Sequence, residues 1–540
     1  GTPPPEFLKV LPALLIAIPL GAAFLVPIVH KIWKRLAEIL TGIAVAATLG
    51  LSIYLVLNLA EPVVYQFSAG NWEFIQNAVP LGIIFVVDKL AAFMLLVVSI
   101  LVFFSYLFAT KYMDHFTGQG KFYTLYLLMF VGMNGVVMTG DLFNMFVFME
   151  IAAISSYALV AFGTEPEELE AGFKYMVMGE IASLMILLAI AFIYASTRTL
   201  NMADLSNAFA VMQTQMASGG SFQTGFYFVL VLLVFGFALK AALAPFISWL
   251  PDAHPSAPAP ISSLLSGVLI KVLGAYALAR VIFNVYGFVR GGAGDPWVFN
   301  ALIILGTASI AVGGLLALVQ KGYKRLLADS SLSQIGYIVL GFGIGNMFAV
   351  VGALAHILAH ALGKGLLFLT SGSVEYRTGE KDINKLPNGL GKQMPWTSLS
   401  YNLGALSVAG MPPFIGFFSK MFIILGALQA ANLFTPNPVK PGMIVIALIA
   451  GIFAVVTLGY LLKITNSVFW GKGGMKGLKE APFVMVFSMI CLVALLLVGG
   501  VTFAWLYPNL FQPAAEALLK GVKYAEIVLP KLSIVAGAGG

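Results

Sequence analysis

Cysteine is almost absent: Cys491 is the single one among 540 residues. One thiol forms no intrachain disulfide and cannot by itself hold an iron–sulfur cluster, whose irons need several thiolates. No Gly-x-Gly-x-x-Gly run and no phosphate-binding loop occurs, so no nucleotide site or other cofactor is expected. Charge is equally scarce. Asp, Glu, Lys and Arg make up 10% of the chain, against about 25% in an average soluble domain. That excludes a water-soluble globule, and the lack of a polar low-complexity tract excludes a disordered chain. What is present is apolar: 60% of residues are hydrophobic and the mean hydropathy is +0.95.

A helix needs about 20 apolar residues to cross a bilayer, and runs of that length recur from end to end. Fourteen spans are predicted, at 8–29, 37–59, 89–110, 121–139, 141–162, 172–196, 222–250, 258–282, 298–319, 326–344, 347–373, 398–429, 442–470 and 481–507. The first run is as long as a full span, so it reads as a helix rather than a removable signal peptide. Span ten is the weakest, being short and carrying Asp329 in a serine-rich start.

The formal charge is +7, but position says more than the total. Connections from odd to even spans hold sixteen cations: Lys31, Lys34, Arg35, Lys111, Lys121, Lys174, Lys321, Lys324, Arg325, Arg377, Lys381, Lys385, Lys392, Lys472, Lys476 and Lys479. The other connections hold four, Arg198, Arg280, Arg290 and Lys440. Excess Lys and Arg mark the cytoplasmic side, so both termini are expected on the outer side of the plasma (inner) membrane.

Internal repetition is visible. Tyr157, Phe162 and Gly163 recur 180 residues later as Tyr337, Phe342 and Gly343, and the same offset relates Gly172 to Gly352. Pro245-Phe246-Ile247 returns as Pro413-Phe414-Ile415. Spans five and ten are an odd number apart, so equivalent helices would run in opposite directions, as in inverted-repeat transporters.

A charged side chain at the centre of a span costs about 2.5–3.5 kcal/mol on insertion scales. The chain nevertheless places Glu150, Glu180, Lys240, Lys271, His356, His360, Lys364, Lys420 and Lys463 within predicted spans. Lys463 is near enough to one end to snorkel, and Asp88 and Lys89 belong at headgroup level. Glu150 and Lys240 lie too deep for that. They read either as transport residues or as a structural buried ion pair.

His356, His360 and Lys364 follow at i, i+4 and i+8, stacked along one helix face over about 12 Å. Histidine exchanges protons near neutral pH, so the ladder suits a proton relay; satisfied structural histidines are the alternative. The zinc-protease form of His-x-x-x-His needs Glu after the first histidine. Ile357 stands there, and no metal site is expected. Pro245 in span seven and Pro412-Pro413 in span twelve break their helices. Irregular backbone at membrane depth is tolerated where it is buried in protein or lines a wet cavity, here beside Lys240 and Lys420. The connection Pro251-Asp252-Ala253-His254-Pro255 adds Asp252 and His254 as further candidates.

Three segments carry a resemblance. Pro251-Asp252-Ala253-His254-Pro255-Ser256-Ala257-Pro258 with Gly267-Val268-Leu269-Ile270-Lys271 resembles the signature of antiporter-like subunits. These occur in Mrp sodium/proton antiporters, respiratory complex I and energy-converting membrane-bound hydrogenases. Lys324-Arg325-Leu326-Leu327 through Ser333-Gln334-Ile335-Gly336-Tyr337 is similar to a second family segment. Gly410-Met411-Pro412-Pro413 through Ser419-Lys420 is similar to a third. The resemblance covers roughly residues 85 to 470. It looks most like the Mrp D subunit and its hydrogenase counterpart, because too little chain follows span fourteen for a long lateral helix.

The resemblance implies an all-α polytopic membrane protein with two inverted five-helix repeats and broken helices seven and twelve. Residues 1–120 would hold helices one to three, 121–282 the first repeat, and 298–470 the second. Residues 471–540 would hold helix fourteen and a short amphipathic tail. It also implies a proton path of Glu150, Lys240, Lys271, His356, His360, Lys364 and Lys420. Glu180 and the acidic run Glu165, Glu167, Glu168 and Glu170 lie outside the pattern. The offset of 180 relates Glu180 to His360, which makes Glu180 a candidate relay group; pairing with an arginine or lysine of a neighbouring subunit is the alternative.

The function implied is that of a proton-translocating subunit. Its partners would be the lipid bilayer and other membrane subunits, further antiporter-like ones included, with protons and possibly Na+ moving and no nucleic acid bound. Redox chemistry, if any, belongs to another chain of an oxidoreductase complex. An Mrp-type or stand-alone sodium/proton antiporter without a redox partner is the alternative, and a scaffold whose charges only fix helix packing is a third.

Overall fold

The computed structural model describes residues 6–67, 83–217, 223–291, 297–433, 435–521 and 523–537. Among them, twelve helices are long and apolar enough to cross a membrane, and two shorter apolar helices, Thr224–Lys240 and Ile415–Ala430, make up the expected fourteen. The predicted start of span seven, residue 222, lies outside the described residues. Elsewhere the observed helices coincide with the predicted spans to within a few residues.

Burial sorts the helices into layers. Span eight (Ala259–Val285), span ten (Tyr323–Ile344) and span eleven (Met347–Thr378) are wholly buried over their apolar windows. Span one (Glu6–Ile32), span two (Lys34–Asn58) and span thirteen (Pro441–Phe469) bury only 28–33% of theirs and lie at the periphery of the chain. The three central helices are also among the less apolar of the set, with span ten lowest. A polar helix can sit there because protein, not hydrocarbon, surrounds it.

Span ten is held by close backbone approach to span nine (Trp297–Val319). A Cβ on Gly306 would lie 2.6 Å from Leu340 N, and one on Gly336 2.6 Å from Gly306 O. Small residues let membrane helices pack this closely without a hydrophobic driving force.

Span seven is Gln223–Lys240, an irregular stretch, and Leu250–Ser256. Within the break Ala242 has a positive φ of 56°, and Pro245 brings no N–H. The freed backbone finds side-chain partners: Ser309 Oγ of span nine accepts from Ala244 N at 2.9 Å. Span twelve is Pro395–Ala409 and Ile415–Ala430, parted at Gly410 with φ 93°.

Two elements escape a hydropathy reading. Met202–Ala217 is an amphipathic helix between spans six (Pro166–Thr197) and seven. Val63–Phe67 and Ile83–Val87 form an antiparallel ribbon pairing Val63 with Val87 and Phe67 with Ile83.

The structure corrects one assignment. Arg280, counted above as a connection cation, is a buried residue of span eight. Its guanidinium donates from Nη1 to Asp88 Oδ2 at 2.7 Å and from Nη2 to Asp88 Oδ1 at 2.8 Å. Asp88 in turn caps span three (Lys89–Tyr112) by accepting from Ala91 N. Bidentate pairing satisfies both charges, so the pair ties the start of span three to the end of span eight.

Candidate functional site

Lys240 is the last residue of its helix, where the negative end of the peptide dipoles favours a cation. Its Nζ lies 3.4 Å from Glu150 Oε1 of span five (Leu142–Val160), and its side chain is 4% exposed. Ser183 Oγ of span six donates a short hydrogen bond to the same carboxylate oxygen. Glu180, on the next turn of span six, is half-buried and in electrostatic contact with both Glu150 and Lys240. The first-half charges expected from the sequence therefore form one cluster of two carboxylates and a lysine.

A cavity of about 10 Å³, bounded by Tyr157, Tyr175, Lys240, Trp249 and Ile270, lies between this cluster and span eight. That is room for about one water molecule. Span eight is widened there, with Ile270 N–H reaching back five residues to Leu265 O. Such π-helical turns are frequent at functional sites. Lys271, fully buried, donates from Nζ to Ser266 O at 2.5 Å.

The ladder of span eleven is buried throughout. Ser419 Oγ donates to Gly416 O at 2.9 Å, which leaves its oxygen to accept from His356 Nδ1, also at 2.9 Å. His356 Nε2 and both ring nitrogens of His360 have no protein hydrogen-bond partner among the described residues. The rings are 6.0 Å apart between centroids. The charges of Lys271, Lys364 and Lys420 act on His360, so span eight lies within electrostatic range of the ladder.

Lys364 donates to Leu327 O of span ten at 2.9 Å. Lys420 donates to Ala409 O, a carbonyl freed by the break in span twelve, at 3.3 Å, and its Nζ lies 4.7 Å from the Tyr337 ring centroid. The titratable groups from Lys240 to Lys420 are thus buried in the protein interior, with Glu150 half-buried at one end of the set.

The two candidates of the connection after span seven part company. His254 is fully buried, stacks on Phe368 at 4.6 Å, and is in electrostatic contact with Lys271 and Lys364. Asp252 faces outward, paired with Lys174 at 3.1 Å and with Arg325. Lys463 donates to Leu318 O and Gln320 O at the end of span nine, as expected of a snorkelling side chain.

Sequence reasoning leaves Asp329 out of the site. It is 1% exposed in span ten, in electrostatic contact with Lys364. A lone carboxylate inside a span was the available signal.

This polar line lies almost wholly within the segment that carries the family likeness. Residues 139–436 match the sequence profile described as NADH:quinone oxidoreductase/Mrp antiporter, TM, more than half of the chain. The chain belongs to this antiporter family. Residues 72–123 also match the profile of complex I chain 5 N-terminus. The antiporter-like chain is 37% identical to the N subunit of NADH-quinone oxidoreductase from Desulforudis audaxviator over 430 residues, 78% of this chain and 81% of that one. It is 33% identical to the D subunit of the Na(+)/H(+) antiporter from Alkalihalophilus pseudofirmus over 500 residues, covering 92% and 94%. Among solved structures it is similar to a chain of an archaeal membrane-bound sulfane sulfur reductase. The TM-score is 0.82 at 32% identity, covering 96% of this chain and 99% of that one.

Proposed function

We propose that this chain carries protons across the cell membrane as one subunit of a larger membrane complex. The observation that supports the reading best is the contact of buried Lys240 with half-buried Glu150 at the broken end of a span. A proton enters or leaves at this pair, and Lys271 links it to His360, His356, Lys364 and Lys420. His254 belongs beside Lys271, and Glu180 extends the pair sideways. Spans four to eight and nine to thirteen act as the two inverted repeats, over residues 121–282 and 298–470, each with its own broken helix.

The Lys-rich face is cytoplasmic by the positive-inside rule, with both termini outside. Partner subunits are favoured by Glu180 itself. It sits at the edge of span six among Phe173, Ile181 and Leu184, all exposed, and a carboxylate at such an edge is better covered by protein than by lipid. The full-length likeness to an antiporter chain and to a chain of a respiratory complex supports two drives for the transport, sodium exchange or redox chemistry in neighbouring chains.

Purification from native membranes under mild detergent tests the reading. Co-purification of redox subunits selects the redox drive, and co-purification of antiporter subunits alone selects ion exchange. A monomer that transports protons by itself removes the complex from the proposal.

A further inference from the structure

Asp329 has no structural task of the ordinary kind. It caps no helix, forms no ion pair of hydrogen-bond length among the described residues, and is buried at 1% exposure. Neither carboxylate oxygen has a hydrogen-bond partner of ordinary geometry among the described residues. Burying such a group in a span is costly and marks function by default.

Its surroundings say which function. Arg325 stands four residues earlier on the same helix face and lines a vestibule of about 450 Å³ on the Lys-rich face, shared with Gln320, Lys324, Glu380 and Asp382. The Gln320 side chain reaches from that wall toward the Asp329 carboxylate. On the other side, Lys364 is tethered to Leu327 O, two residues before Asp329, and is in electrostatic contact with it.

We propose that Asp329 is a proton-carrying station between the vestibule on the Lys-rich face and Lys364, giving the second half its own inlet. The proposal rests on the proton-transport reading above. In the step, protonated Asp329 gives its proton to the neutral amine of Lys364. The O–H bond breaks, an N–H bond forms, and a carboxylate faces an ammonium. A proton from the bulk phase, relayed by vestibule water past Gln320, reprotonates the Asp329 carboxylate after the Lys364 ammonium has given its proton to neutral His360.

The test uses the intact complex in proteoliposomes, with Glu150→Ala as the control for the underlying reading. Asp329→Asn keeps the shape and removes the proton; it is expected to assemble normally and to lower proton transport severalfold. Asp329→Glu is expected to restore most of it. A protonated-carboxyl band in infrared difference spectra should vanish in Asp329→Asn and return in Asp329→Glu, which a structural role would not produce. Gln320→Leu, at a half-exposed position, should slow transport without touching the carboxylate and serves if Asp329→Asn fails to assemble. Unchanged transport in Asp329→Asn, or in Gln320→Leu where only that variant assembles, overturns the inlet while Glu150→Ala remains inactive. Full transport in Glu150→Ala overturns the proton-transport reading itself.

Discussion

In the first half the buried ammonium of Lys240 meets the carboxylate of Glu150 at 3.4 Å. In the second half the ammonium groups of Lys364 and Lys420 meet main-chain carbonyls, Leu327 O at 2.9 Å and Ala409 O at 3.3 Å. The two arrangements treat an added proton differently. At Lys240 it completes an ion pair, whereas at Lys420 it creates a charge answered mainly by dipoles. They also fail differently. Removing one member of a buried pair strands the other and costs about 3–5 kcal/mol. Removing Lys420, held by a carbonyl, strands no paired carboxylate, and among the described carboxylates Lys364 has only the unpaired Asp329 near it.

The largest effect that bears on this contrast is expected at the pair. Glu150→Ala and Lys240→Ala should each lower coupled proton transport by at least about a hundredfold, the lower end of what a positioned acid or base contributes. The double variant should melt at a higher temperature than Lys240→Ala, which strands both Glu150 and Glu180, since only Glu180 then lacks a counter-charge. A double variant less stable than both would erase the distinction between the halves. Next comes the ladder: His356→Gln with His360→Gln keeps hydrogen bonding but cannot titrate. Proton flux measured in vesicles should fall strongly, with assembly on a native gel unchanged, and intact flux would leave the histidines as packing.

Glu180→Gln is expected to have a smaller effect, because Glu150 still faces Lys240. Transport should drop partially while association with neighbouring subunits persists; loss of association at unchanged specific transport would make Glu180 an interface group instead. The smallest effect belongs to Asp252→Asn. Its partners Lys174 and Arg325 are about half exposed, and exposed pairs contribute about 0–1 kcal/mol. Transport and melting temperature should stay near those of the parent protein.

Much of this contrast is legible in one dimension. The fourteen spans follow from apolar run length, and the breaks in spans seven and twelve follow from proline within such runs. The ladder of span eleven follows from helical spacing. Pairings between distant residues do not follow. Arg280 stands at the end of an apolar run and looks like a connection cation, but Asp88, its partner, lies 192 residues away. Asp329 lowers the hydropathy of span ten, so it registers as a weak helix before it registers as a buried acid. The Met202–Ala217 helix is too short and too polar for a hydropathy window, and its place is set by packing.

The C-terminal stretch carries a consequence of another kind. Asn284 of span eight donates to Ala517 O and Leu518 O, Arg280 lies over the Tyr524 ring at 5.9 Å, and Lys531 pairs with Glu61 at 3.2 Å. Residues 517–531 thus close over helices that come hundreds of residues earlier in the chain. This end of span eight cannot reach its final form before residues 517–531 have been made. The clasp is therefore among the last contacts to become possible as the chain emerges, whatever the order in which the helices themselves form.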